Sequence, residues 1–168
     1  MKLLTVSGSS RPHSTNRRLL DALSALTDTH TLHHAEIVNR LPLFHPGLKP
    51  NDAVREWKSI VREADGLLLC TPEYLHNLPA LLKNALEWLT TGGELSVKPV
   101  VALTATPHPP RGERAMQSLL WSLTALDASV LTQYAVYDVP AKIDETGRFI
   151  NEELRETLTG ILELFSES

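Results

Sequence analysis

The sequence predicts an α/β protein built on a five-stranded, doubly wound parallel sheet with helices on both faces. Short apolar runs alternate with amphipathic stretches along the 168 residues, which is the order of successive βαβ units. One run, Leu67 to Cys70, is continuously apolar, as a strand covered on both faces reads. Polar loops follow the first, third and fourth apolar runs. Right-handed crossovers place all three loops at the carboxyl edge of the sheet, where open α/β sheets bind their ligands.

The elements follow in order. Leu3, Leu4 and Val6 form a short first strand, and Gly8 frees the backbone to turn. Ser14, Thr15 and Asn16 are capping residues, and Leu19, Leu20, Leu23 and Leu26 make one apolar stripe on the first helix. Thr31 to Ile37 reads as a second strand, Leu41 to Phe44 as an apolar connector, and Pro46, Gly47 and Pro50 as a loop. Asp52 is expected to cap a helix with the stripe Val54, Trp57, Val61 and Ala64, which Gly66 ends before the third strand. Pro79 sits at the first turn of a helix carrying Leu81, Leu82, Ala85, Leu86 and Leu89. Pro99 to Thr104 is the fourth strand, and a loop over 105–112 leads to a helix with Met116, Leu119, Leu120 and Leu123. A fifth strand near Val130 to Val136, a turn at Gly147 and a last helix lined by Leu154, Leu158, Ile161, Leu162 and Phe165 complete the chain. Length and a 42% hydrophobic composition predict one domain over 1–168.

A net charge of −4 with no basic run beyond Arg17 and Arg18 argues against nucleic acid or anionic membranes as partners. No apolar run is long enough for a signal peptide or a membrane span. The lone Cys70 ends a buried strand, where it packs rather than reacts, and a chain without a disulfide framework suits the reducing cytoplasm. His33 and His34 are neighbours on a strand and point to opposite faces, so they cannot share one ion; no metal site is expected, and these histidines read as solvated. Trp57, Trp88 and Trp121 lie on helices and are assigned to packing.

The chemistry is expected in the loops. A helix starting directly after a strand aims its free N–H groups and positive dipole end at the connecting loop. The first loop adds Arg11 and the donors Ser9, Ser14, Thr15 and Asn16, a set that matches a phosphate monoester in both hydrogen bonds and charge. An ordinary capped turn needs only one hydroxyl. The chain lacks the Gly-Lys-Ser/Thr of a P-loop, a complete G-x-G-x-x-G and a G-x-S-x-G elbow. His13, His76 and His108 lie one in each of the three loops, where exposed histidines are the plain reading and contact with an anionic substrate the sharper one.

Gly8, Ser9, Arg11, Ser14 and Asn16 fit G-S-x-R-x-x-S-x-N, and Pro72, Glu73, Tyr74, Pro79, Leu82, Lys83, Asn84, Ala85 and Trp88 fit most of P-E-Y-N-x-S-x-P-G-x-L-K-N-A-x-D-W. With these motifs the chain resembles the NADPH-dependent FMN reductases, a flavodoxin-like family that includes quinone, azo-dye and chromate reductases. The resemblance implies a sheet order of 2-1-3-4-5. It also implies that Ser9, Arg11, Ser14, Thr15 and Asn16 hold the FMN phosphate and that Pro72, Glu73 and Tyr74, with Leu75, His76 and Asn77, line the ring. The third loop, with Thr104, Thr106 and His108, closes over the flavin. Leu75, Asn77, Ala80 and Glu87 depart from the family pattern, and the third loop is rich in proline instead of glycine.

In such an enzyme the flavin carries the chemistry, so no catalytic side chain is assigned. The implied activity is an FMN-dependent NAD(P)H oxidoreductase, passing hydride from NADPH or NADH to the flavin and then, in a ping-pong cycle, electrons to a quinone, free flavin, azo or metal-oxyanion acceptor. A homodimer or homotetramer is expected by the same resemblance. A flavodoxin-type electron carrier and a flavin-free scaffold of the same fold are the alternatives.

Overall fold

A computed structural model describes residues 1–168. Five parallel strands form one sheet in the order β2-β1-β3-β4-β5, with β1 Lys2–Ser7, β2 Thr31–His34, β3 Gly66–Thr71, β4 Pro99–Thr106 and β5 Ser129–Tyr137. Five helices connect them: α1 Thr15–Leu23, α2 Asp52–Glu63, α3 Ala80–Glu87, α4 Glu113–Ala125 and α5 Glu152–Glu163.

The two faces of the sheet carry separate cores, because alternate side chains of each strand point opposite ways. Leu4, Val6, Leu67, Leu69, Val100 and Ala102 pack against α2, α3 and α4. Leu3, Leu68, Cys70, Val101 and Leu103 pack against α1, α5 and the ring of Phe165. All six residues of β3 are buried, as the unbroken apolar run requires. A side chain at Gly66 would meet the Phe165 ring at 2.5 Å, so this glycine lets α5 and its tail close on the sheet.

Several sequence expectations shift. The second strand stops at His34, three residues short of Ile37: Ala35 gives one more bond to Thr5, and the chain then winds into a 3-10 turn, Glu36–Arg40, that turns Ile37 and Val38 into the core beside α2. Asn51, not Asp52, caps α2, since only its side chain reaches the Val54 N–H, at 3.0 Å. The fourth strand runs two residues beyond Thr104, which puts Thr104 and Thr106 on β4 and opens the third loop only at Pro107.

The histidines divide. His33 is exposed, but His34 is half-buried, its Nδ1 3.1 Å from Thr5 Oγ1, with burial and the nearby Arg17 charge holding its pKa below the usual imidazole value. His30 is buried beside Phe165, with Nε2 3.1 Å from the Leu162 carbonyl. Trp57 and Trp88 are buried and donate to the Ala85 and Pro42 carbonyls, whereas Trp121 lies 69% exposed on α4 and packs against nothing in the chain's core. No helix is long and apolar enough to cross a membrane.

Candidate functional site

The loops after β1, β3 and β4 meet at the carboxyl edge of the sheet, where parallel pairing brings Ser7 beside Cys70 and Thr71 beside Thr104. Gly8 continues the ladder by one bond to the Cys70 carbonyl, 2.8 Å, and a Cβ there would lie 2.7 Å from Thr71 Oγ1. The loop then folds on its own hydroxyls: the Ser9 N–H donates to Ser7 Oγ, and the Arg11 N–H to Ser9 Oγ at 3.3 Å. Ser14 caps α1 by accepting from the Arg17 N–H at 3.1 Å, so its hydroxyl oxygen is engaged in the helix.

What remains open is cationic and rich in donors. The backbone N–H groups of His13, Thr15 and Asn16 find no acceptor in the chain, and the exposed Arg11 guanidinium has neither a hydrogen bond nor an ion pair. Arg17, by contrast, is tied to Asp21 at 2.7 Å and to Glu36. Asn16 is buried with its Oδ1 accepting from the Cys70 thiol at 3.2 Å, which leaves Nδ2 as a free donor. Burial pushes the Cys70 thiol far up, and nothing beside it stabilises a thiolate. A depression of about 300 Å³ opens beside this loop, lined by Ser9, Arg11, His13, His34 and Asn39 among others. A wider depression of about 410 Å³, between β2 and α2, contains none of the candidate residues.

The second loop projects as a tight hairpin. Tyr74 and Asn77 exchange two backbone hydrogen bonds of 3.0 Å, and Leu75 and His76 between them adopt left-handed φ values of 50° and 57°. This turn normally takes Asn-Gly, and here the leucine at its tip is 100% exposed beside a half-exposed Tyr74. Pro72 is half-buried at the strand end.

Glu73 has its carboxylate engaged within the chain. It is 8% exposed, and its Oε2 accepts from the N–H groups of Gly112, Arg114 and Ala115 at 3.0, 3.1 and 3.3 Å, while Oε1 lies 3.3 Å from His76 Nδ1. Burial alone would raise its pKa; the three backbone donors and His76 outweigh that and hold the carboxyl below its usual value. The Glu73 carboxylate thus caps α4, which has no side-chain cap of its own because Gly112 precedes it in a left-handed conformation. A helix preceded by Arg-Gly, with no Ser, Thr, Asp or Asn at the cap position, was the available signal that a distant acceptor was needed.

The third-loop candidates separate as well. Thr104 is fully buried with its hydroxyl unpartnered, 3.0 Å from where a Gly112 Cβ would stand. Thr106 is buried and donates to the Arg111 carbonyl at 2.7 Å. His108 is exposed, with Nδ1 3.0 Å from the Pro109 carbonyl. The structure thus places Ser9, Arg11, Thr15 and Asn16 about the start of α1, with Pro72, Tyr74, Leu75, His76 and Asn77 on the loop after the adjacent strand β3. Glu73, Thr104, Thr106 and the Ser14 hydroxyl support that arrangement from inside.

A phosphate fits the first-loop donors, because free N–H groups, an amide and an unpaired guanidinium would otherwise face water together at a helix start. Comparison with known proteins agrees with that chemistry. The chain is 30% identical to a 2-hydroxy-1,4-benzoquinone reductase of Burkholderia sp., covering 99% of this chain and 94% of the relative. It is 31% identical to an NAD(P)H-dependent FMN reductase of Pseudomonas aeruginosa, covering 94% and 89%. Its fold matches that of FerB, a flavoenzyme NAD(P)H:(acceptor) oxidoreductase of Paracoccus denitrificans, with a TM-score of 0.84 over 99% of this chain and 95% of that one at 22% identity. The pattern that describes the NADPH-dependent FMN reductases matches residues 1–140, a span that holds all three loops, and the chain belongs to that family of flavin-dependent oxidoreductases.

Proposed function

We propose that residues 1–168 act as one FMN-binding domain that takes reducing equivalents from NADPH or NADH and passes them to a small-molecule acceptor of the quinone class in a ping-pong cycle. The observation that carries this reading is the open start of α1, where three N–H groups are unpaired and the Arg11 guanidinium of the same loop is free. FMN, when bound, supplies a centre able to accept a hydride and return electrons, so the protein needs no acid–base pair.

The chain's own residues bind and orient. Arg11, the N–H groups of His13, Thr15 and Asn16, and Asn16 Nδ2 neutralise and hold the phosphate, with the Ser9 hydroxyl shaping the loop beneath them. Tyr74 and the rigid hairpin behind it give the ring an apolar wall. Leu75 and Asn77 are uncharged, which leaves the adjoining space suited to a stacked nicotinamide or a neutral planar acceptor, not to a multiply charged one. The exposed Trp121 and Leu75 support association of the chain into a homodimer or homotetramer, and the single buried Cys70 with no disulfide supports a cytoplasmic location.

Anaerobic stopped-flow mixing of the FMN-loaded protein with NADPH, and separately with NADH, tests the reading. The expected result is bleaching of the flavin absorbance by at least one nucleotide and its return on adding a quinone. Bleaching by dithionite but by neither nucleotide would instead mark an electron carrier. A protein that neither quenches FMN fluorescence nor retains the pigment would leave only a scaffold of the same fold.

A further inference from the structure

We propose that Glu73 is a positioning residue of the flavin site, a carboxylate that locks the wall built from the second loop to the start of α4 and so sets the ring gap before any cofactor enters. The proposal rests on the flavin reading above and concerns how that site is held open.

Strand pairing ties the two segments only as far as Thr71 and Thr104. Beyond the strand ends, the Glu73 bonds to Gly112, Arg114 and Ala115 are the only hydrogen bonds that join residues 72–78 to residues 107–115. Each partner is unable to replace Glu73. The α4 N–H groups of Gly112 and Ala115 are buried, Gly112 has no side chain to offer, and water has little access to them. A buried donor left unpaired is costly, so the second loop is drawn onto α4 even without ligand.

Both Glu73 oxygens have partners within the chain, Oε2 three N–H groups and Oε1 the His76 ring 3.3 Å away. Its effect on the flavin is therefore geometric. It also closes the positive end of α4 to anions, which leaves the α1 end as the place for phosphate.

This separates two kinds of binding loss. A residue at the phosphate affects FMN and spares riboflavin, whereas a residue that sets the ring gap affects both by the same factor. FMN and riboflavin dissociation constants, read by fluorescence quenching well below the melting temperature, are compared for the native protein and for Glu73→Ala, Glu73→Asp and Glu73→Gln. Glu73→Ala and Glu73→Asp, which removes one methylene and so cannot span the gap, are expected to weaken both ligands in parallel by about tenfold or more. Glu73→Gln keeps a carbonyl oxygen for the α4 donors and is expected to recover most of the affinity. If Glu73→Ala does not fold, the Asp and Gln variants decide the matter by the same ratio.

Riboflavin affinity unchanged in Glu73→Asp, or Glu73→Gln as weak as Glu73→Asp, overturns the proposal: the first makes Glu73 a stability element alone, the second makes its charge the active property. Failure of the flavin reading itself would look different, since the native protein would then bind neither ligand.

Discussion

Helices α1 and α4 begin at the same edge of the same sheet, and their amino termini are treated in opposite ways. At α1 the cap is local: Ser14 takes the Arg17 N–H, and the remaining first-turn donors stay free beside an unpaired arginine. At α4 the cap is imported from 39 residues away, and the Glu73 carboxylate takes the N–H groups of Gly112, Arg114 and Ala115. Two helix ends with the same backbone dipole thus differ in what they attract. The first keeps donors to offer an anion, and at the second a carboxylate of the chain already holds them.

The largest effect that could break this comparison is at Arg11. Arg11→Ala is expected to weaken FMN by about 10- to 100-fold, the loss of a charge-assisted contact of roughly 1.5–3 kcal/mol, with riboflavin affinity unchanged. Parallel titrations of the two ligands check it, and an equal loss for both would move the phosphate away from the α1 end. Apoprotein stability should not change, because the Arg11 side chain touches no partner within the chain.

At the closed end the corresponding change is Gly112→Ala. Gly112 has φ of 101°, and an added Cβ would stand 3.0 Å from Thr104 Oγ1 and 3.1 Å from Thr106 Cγ2. The backbone conformation alone disfavours alanine, and a loss of about 1–2 kcal/mol is expected, read as a lower urea midpoint for the apoprotein. An unchanged midpoint would mean that the start of α4 is free to reshape, contrary to a staple formed by Glu73.

The smallest effect separates the two caps by pH. Ser14 does not titrate in acid, but Glu73 does, with its carboxyl held below the usual value in the folded chain. A group with a depressed folded pKa contributes stability that is complete above its unfolded value, about 4.3, and is lost as pH falls through the folded one. Apoprotein melting temperatures should therefore decline in that acid window by more in the native protein than in Glu73→Gln. Identical acid limbs would show that the α4 cap does not depend on the carboxylate charge.

The particular residues that sequence reading placed well are those whose role is local. Val54, Trp57 and Val61 form a helix stripe, Leu67 to Cys70 a buried strand, and Arg11 stands in a polar loop before a helix, because each of these depends on spacing within a few residues. The internal partners of Glu73 and Asn16 lay beyond it. A carboxylate and an amide in loops read equally well as ligand donors, and nothing nearby in sequence discloses a partner at Gly112 or at Cys70.

The boundaries show the same division. Asn51 and Asp52 are both good caps, and the geometry at Val54 chose between them. The second strand ended at His34 because the side chains of Ile37 and Val38 gain more by entering the core under α2 than by extending an edge strand.

By itself the sequence determined the alternation of strands and helices, the one-edge placement of three polar loops and the phosphate-matching character of the first, since these follow from periodicity, capping chemistry and crossover handedness. Tertiary structure decided which polar groups remain free to meet a ligand. Free and engaged donors have the same residue names, and only the folded chain brings Glu73 to the α4 amides, the Cys70 thiol to Asn16 and Glu36 to Arg17 while leaving Arg11 unpaired.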